Sequence, residues 1–219
     1  MIRLNITAEG ETEKRFSSDV LRPHLAAFGV AVYTRCLKTS SVQRGGYTTY
    51  AKARNDIQQW LVQELEAWHT TMIDLYGLQN DFPGHAASLL MQPDPKVIHL
   101  EQQFAADIAN AHFLPYIQLH ELEALLYVDP TKMYQVLSMD RKSLSPTYFS
   151  TIRANYQSPE HINDSPQTAP SRRILSVCPT YDKVTEGLLI LEDIGLATIR
   201  ASCPHFNNWL TKLEQLPQM

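Results

Sequence analysis

The chain of 219 residues is 44% hydrophobic and 19% charged, which is enough apolar material to bury a core without a disulfide or metal staple. Its net charge of −4, with a pI of about 6.0, excludes a protein that holds nucleic acid by charge alone, because such binding needs clustered Lys and Arg on phosphates. A polyanion would have to be met with the help of metal ions or a partner.

The longest uncharged apolar runs, such as Gly187-Leu188-Leu189-Ile190-Leu191, are too short to span a bilayer, and the N-terminus has no basic segment followed by an apolar one. A soluble, cytoplasmic protein without membrane contact is expected. Cys36, Cys178 and Cys203 lie far apart and form no CxxC pair, so they are read as reduced, mostly buried thiols.

In chain order, Ile2 to Thr7 alternates as a strand, and Thr12 to about Ala27 carries Phe16, Val20, Leu21 and Leu25 at helical spacing. Pro23 predicts a kink or break there. Val30 to Leu37 is rich in β-branched and aromatic residues and reads as a second strand. Ile57, Trp60, Leu61 and Leu65 mark the apolar face of a helix from Ala51 to Trp68, and "TTMIDLYG" supplies a third strand ending on Asp74. This β-α-β-α-β order predicts a mainly parallel sheet flanked by helices, with its site beyond the carboxyl ends of the strands. Pro95 to Ala111 reads as a helix, "FLPYIQLH" as a fourth strand, and "ELEALLYVDP" as a turn into a helix that Pro130 stops. Only helical patterns follow, interrupted by the long polar loop "NYQSPEHINDSPQTAPS", and loops of that length are usually functional or mobile. The texture changes near Asp129, so an α/β core over residues 1–128 and a helical part over 129–219 packed on it are expected.

Three acidic clusters fall at predicted strand ends: Glu9 with Glu11 and Glu13, Asp74 with Asp81, and Glu121 with Glu123. Hard divalent cations take oxygen ligands, commonly one or two carboxylates with waters and substrate phosphates. Each cluster has a bland reading too. Glu11 and Glu13 suit the first turn of a helix, where carboxylates favour the macrodipole, and Glu13 is expected to face solvent. Asp74 suits a cap or turn, and in "HELE" a structural His120 with a helix-starting Glu121 stands beside ligation. Glu9, set in the turn before Gly10, is not needed as a cap. Arg172, Arg173 and Lys183 follow the polar loop as phosphate binders or as solvated surface. Ala124 rules out an HExxH site, and Ser40, Ser41, Gly45 and Gly46 match neither a P-loop nor a dinucleotide fingerprint.

The run "LNITAEGETE" after the first strand and "IDLYG" at the third resemble the Toprim fold of topoisomerases, primases and overcoming-lysogenization-defect nucleases. There a glutamate follows strand one and a D-x-D motif strand three. Glu9 matches the glutamate and Asp74 the first aspartate, while Tyr76 stands in place of the second. "GGYTTYAKARNDI", "TTMIDLYGLQNDFPG", "FLPYIQLHELEALLYVDP", "SPEHINDSPQTAPSRRI" and "CPHFNNWLTKLEQL" are similar to an uncharacterised bacterial family of Toprim-like proteins over nearly the whole chain. The resemblance implies Mg²⁺ (or Mn²⁺) held by Glu9 and Asp74, with Glu13, Asp81, Glu121 or Glu123 as further ligands and Glu121 as a third catalytic carboxylate. It implies a nuclease acting on DNA or RNA, as the partner of an ATPase in anti-phage defence. A non-catalytic adaptor that keeps the shape and binds an ATPase is the alternative, favoured by Tyr76 and the negative charge.

Overall fold

Strands β1 (Ile2–Ala8), β2 (Val30–Cys36) and β3 (Trp68–Asp74) lie in the order β2-β1-β3, all parallel. The computed structural model describes residues 1–38, 49–163 and 167–218; Ser40, Ser41, Gly45, Gly46 and Asp164 lie outside them. The α/β architecture expected from the alternation holds, with a parallel sheet flanked by helices and a helical C-terminal part. From Leu4 to Ala8 every residue of β1 is buried, as in a sheet covered on both faces. The chain forms two compact units, residues 1–118 with 209–219, and residues 119–208.

The predicted fourth strand is split in two. Phe113–Leu114 (β4) and Ile117–Gln118 (β5) both pair parallel with β3. Between them Pro115 has no N–H to give a ladder. The Thr71 hydroxyl replaces it, donating to the Tyr116 carbonyl at 2.8 Å and accepting from the Tyr116 N–H at 3.0 Å.

The first helix runs through Pro23 instead of breaking. It is α-helical over Glu11–Arg15, π-helical over Phe16–Leu21 and α-helical again over Arg22–Ala26. Proline cannot donate to the carbonyl four residues back, and the wider π turn just before it absorbs the mismatch. Pro130 likewise starts a helix where a stop was expected: Asp129 accepts from the N–H groups of Thr131 and Lys132, and Pro130 opens Pro130–Ser138. At that first position its missing N–H costs nothing. In the second unit 3-10 turns over Leu122–Val128 precede this helix, and Tyr148–Arg153, Pro170–Val177, Leu188–Ile194 and Leu196–Ser202 are helical. Cys36, Cys178 and Cys203 are buried thiols. Among the described residues no helix is long and apolar enough to cross a membrane.

The first unit buries a polar cluster. Asn5 Nδ2 donates to Glu64 Oε2 at 2.8 Å and lies 3.4 Å from His69 Nε2, while Trp60 meets the His69 ring edge to face at 5.6 Å. Burial holds the His69 pKa down at about 4, against the pull of Glu64. Above about pH 6.5 the imidazole is neutral in folded and unfolded chains alike. As pH falls from 6.5 toward 4, only the unfolded chain takes the proton, so stability is lost. The 2.5-unit gap corresponds to about 3 kcal/mol. Urea denaturation at pH 7 and pH 4 should show the wild type losing about that much more than His69→Gln; equal losses would remove His69 as the cause.

Candidate functional site

Because β1 and β3 are parallel neighbours, with Ala8 opposite Met72, the residues leaving both strands emerge at one edge of the sheet. The Glu9 N–H donates to the Met72 carbonyl at 2.8 Å, extending the ladder one residue beyond β1. The Asp74 N–H donates to Glu9 Oε2 at 2.9 Å. Thus the two expected ligands, Glu9 and Asp74, meet at the carboxyl end of the sheet, each half-buried. After Asp74 the chain makes a 3-10 turn, Leu75–Gly77, and a Cβ at Gly77 would stand 3.2 Å from Glu9 Oε1. That spacing is tighter than ordinary van der Waals contact, so glycine lets the turn close over the Glu9 carboxylate. Gly77 was missed in the sequence, although its place just past a strand-end aspartate was the available signal.

Gly10 serves the turn through its backbone N–H and not through conformational freedom. Its φ of −142° is extended backbone open to any residue, so the turn does not require its freedom. Its N–H donates to Glu13 Oε2 at 2.9 Å, which supplies the Glu half of a capping box at the start of the helix. Glu13 is therefore only 8% exposed, contrary to the solvent-facing position expected of it. Glu11, by contrast, is exposed and pairs with Lys14 and Arg15.

The other candidate carboxylates hold structural partners. Asp81 Oδ2 accepts from the Tyr50 N–H at 2.8 Å, at the start of helix Tyr50–Gln63. Glu121 and Glu123 belong to the second unit. There Glu121 accepts from the Ser171 N–H at 2.9 Å and from its hydroxyl at 3.1 Å, at the start of helix Pro170–Val177. Glu123 is buried and paired with Lys183 at 2.8 Å; burial pushes its carboxyl up, with Lys183 opposing. Among the described residues no three His, Cys, Asp or Glu side chains gather into a metal-holding group.

The candidate phosphate binders diverge as well. Arg172 is exposed. Arg173 donates to the Thr168 carbonyl at 2.5 Å and to the Tyr156 hydroxyl at 2.8 Å, and Lys183 is the partner of Glu123. Within its unit the described part of the polar loop is tied down. Ser158 donates to the Ser202 carbonyl at 3.0 Å, and Asn163 Nδ2 lies 3.1 Å from Nδ1 of His120, a residue with positive φ.

Glu160 anchors the same loop. It is 1% exposed and accepts from the N–H groups of His205 at 3.1 Å and Phe206 at 2.9 Å, at the start of Pro204–Glu214. Burial pushes its carboxyl up, opposed by those two donors. Glu160→Ala would strand both, at an expected cost of about 2–4 kcal/mol. A urea midpoint equal to that of the wild type would show that the loop does not depend on this cap.

A solved structure, the C-terminal region of the Xanthomonas campestris pv. campestris OLD protein, is similar to this chain at 13% sequence identity and a TM-score of 0.39, with 100% of this chain and 99% of that one covered. No curated protein matches. The family model described as "Domain of unknown function (DUF4276)" matches residues 8–214, a span that contains Glu9, Asp74, Gly77 and almost all of the helical part. The chain belongs to that family.

Proposed function

We propose that the chain is a Mg²⁺-dependent (or Mn²⁺-dependent) nuclease that hydrolyses nucleic-acid phosphodiesters, acting with an ATPase partner in anti-phage defence. The observation that supports this reading is the meeting of Glu9 and Asp74 at the carboxyl ends of adjacent parallel strands, joined by the bond from the Asp74 N–H to Glu9 Oε2. Two carboxylates with completing waters suit one hard divalent ion. A carboxylate offers about four acceptor sites, so holding one backbone N–H is compatible with ligation. The missing Cβ at Gly77 is what allows the turn to pass so close to Glu9.

When bound, such an ion polarises a phosphoryl oxygen and acidifies a coordinated water. The chain's own part is to orient: the Asp74 N–H fixes the rotamer of Glu9, and the β1–β3 ladder fixes the distance between the two strand ends. Glu13, Asp81, Glu121 and Glu123 are left out of this site because, among the described residues, none of them gathers with Glu9 and Asp74 into a group of three that could hold a metal.

The test is cleavage of single- and double-stranded DNA and RNA by the purified protein in Mg²⁺ and in EDTA, with and without any ATPase found encoded beside it. Cleavage in Mg²⁺ alone is expected. Tyr76 in place of a second aspartate and the charge of −4 favour the second reading, an adaptor that binds an ATPase without catalysis. Absence of cleavage under every condition, together with a stable complex with the ATPase, would establish that reading instead.

A further inference from the structure

Tyr76 lies on the Leu75–Gly77 turn, between a backbone N–H that bonds the Glu9 carboxylate and a glycine that passes close to it. On one side the Asp74 N–H donates to Glu9 Oε2, and on the other a Cβ at Gly77 would stand 3.2 Å from Glu9 Oε1. Its backbone is thus held at the candidate site, while the residue is 43% exposed. Exposed tyrosines are ordinary one at a time. This one is set, by the Asp74 N–H bond and the close pass of Gly77, beside the two carboxylates proposed to act on a phosphodiester.

We infer that Tyr76 is a stacking platform for an unpaired nucleobase, and that the strand presented to Glu9 and Asp74 is single-stranded nucleic acid. The inference rests on the nuclease reading for the position of the site and adds its substrate class. Bases of a duplex are stacked within it, and drawing one out costs a few kcal/mol; an unpaired base offers its π-face directly. Stacking is tolerant of sequence, and its attraction is to the face of the base and not to the phosphates. It therefore suits a chain of net charge −4, which has little positive charge with which to hold phosphates. A turn already anchored by the Asp74 N–H also loses little conformational freedom when a base settles on its side chain.

The experiment is fluorescence anisotropy with labelled oligothymidylate, oligouridylate and a duplex of the same length, in EDTA so that metal-dependent cleavage cannot intervene. The wild type should bind both single strands more tightly than the duplex. Its affinity should fall far less between 50 and 200 mM salt than the roughly 10³-fold or greater loss of proteins that make many phosphate contacts. Tyr76→Ala should weaken single-strand binding about tenfold or more, whereas Tyr76→Phe and Tyr76→Trp, which keep a ring, should retain it. Equal binding by wild type and Tyr76→Ala would overturn the inference. So would equal binding of duplex and single strand, a loss in Tyr76→Phe as large as in Tyr76→Ala, or no binding by the wild type. The outcomes separate the two readings. Tyr76-dependent binding without cleavage under any condition would sink the nuclease and keep the platform. Mg²⁺-dependent cleavage that ignores Tyr76 would do the reverse.

Discussion

Glu9→Gln is expected to remove Mg²⁺-dependent cleavage while leaving the protein folded. Glutamine has nearly the volume of glutamate and retains a carbonyl oxygen to accept from the Asp74 N–H, the bond seen at 2.9 Å. What it loses is the negative charge that a hard cation requires. Residues that merely support a metal ligand cost 10- to 100-fold when replaced, so loss of a ligand itself should exceed about 100-fold. Stability should change by no more than about 1 kcal/mol, because the side chain is half-buried and its hydrogen bond has a substitute. Cleavage assays and urea denaturation on the same preparation test both halves. Equal Mg²⁺-dependent rates in wild type and variant would sink the catalytic role of Glu9, and the assay should be run with and without a candidate ATPase partner.

The largest effect on stability is expected at Trp209. Residues 209–219 belong to the unit built on residues 1–118, and Trp209 is the first of them. Its indole is buried, stacked on Tyr116 with centroids 4.2 Å apart, and its N–H donates to the Thr70 hydroxyl at 2.9 Å. Tyr116, with Pro115, occupies the break between β4 and β5, so the contact reaches the sheet where its ladder is interrupted. Trp209→Ala would open a cavity beside Tyr116 and remove the donor to Thr70, at an expected cost of about 3–5 kcal/mol. Trp209→Phe keeps a ring for stacking and loses only the hydrogen bond, so it should cost about 1–2 kcal/mol. Urea denaturation of the two variants separates packing from hydrogen bonding. Trp209→Ala with a wild-type midpoint would mean that the terminal segment does not stabilise the first unit.

The parallel β-α-β core and the place of Glu9 and Asp74 could be read from the chain because both follow from local patterns. Strand and helix periodicities of about 2 and 3.6 separate Ile2–Ala8, Val30–Cys36 and most of Trp68–Asp74 from the helices between them, although the helix expected as far as Trp68 ends at Gln63 and Leu65, placed on its apolar face, is exposed. Parallel strands then bring their carboxyl ends to one edge, whatever the side chains are. The prolines were less legible. The sequence marks Pro23 and Pro130 as residues without a donor, but whether that lack breaks a helix depends on the carbonyl it would have met. A π turn absorbs it at Pro23, and at Pro130 the first turn has no carbonyl to satisfy.

Least legible was the partner of each carboxylate. Glu13, Asp81, Glu121 and Glu160 all accept backbone N–H groups at or beside the start of a helix. For Asp81, Glu121 and Glu160 that helix lies tens of residues away in sequence. Unpaired donors at a helix start and a hard cation both ask for the same thing, a negatively charged oxygen in a turn. A carboxylate after a strand therefore looks the same in the sequence whichever it meets, and only the packing that brings a distant helix start beside it decides between them.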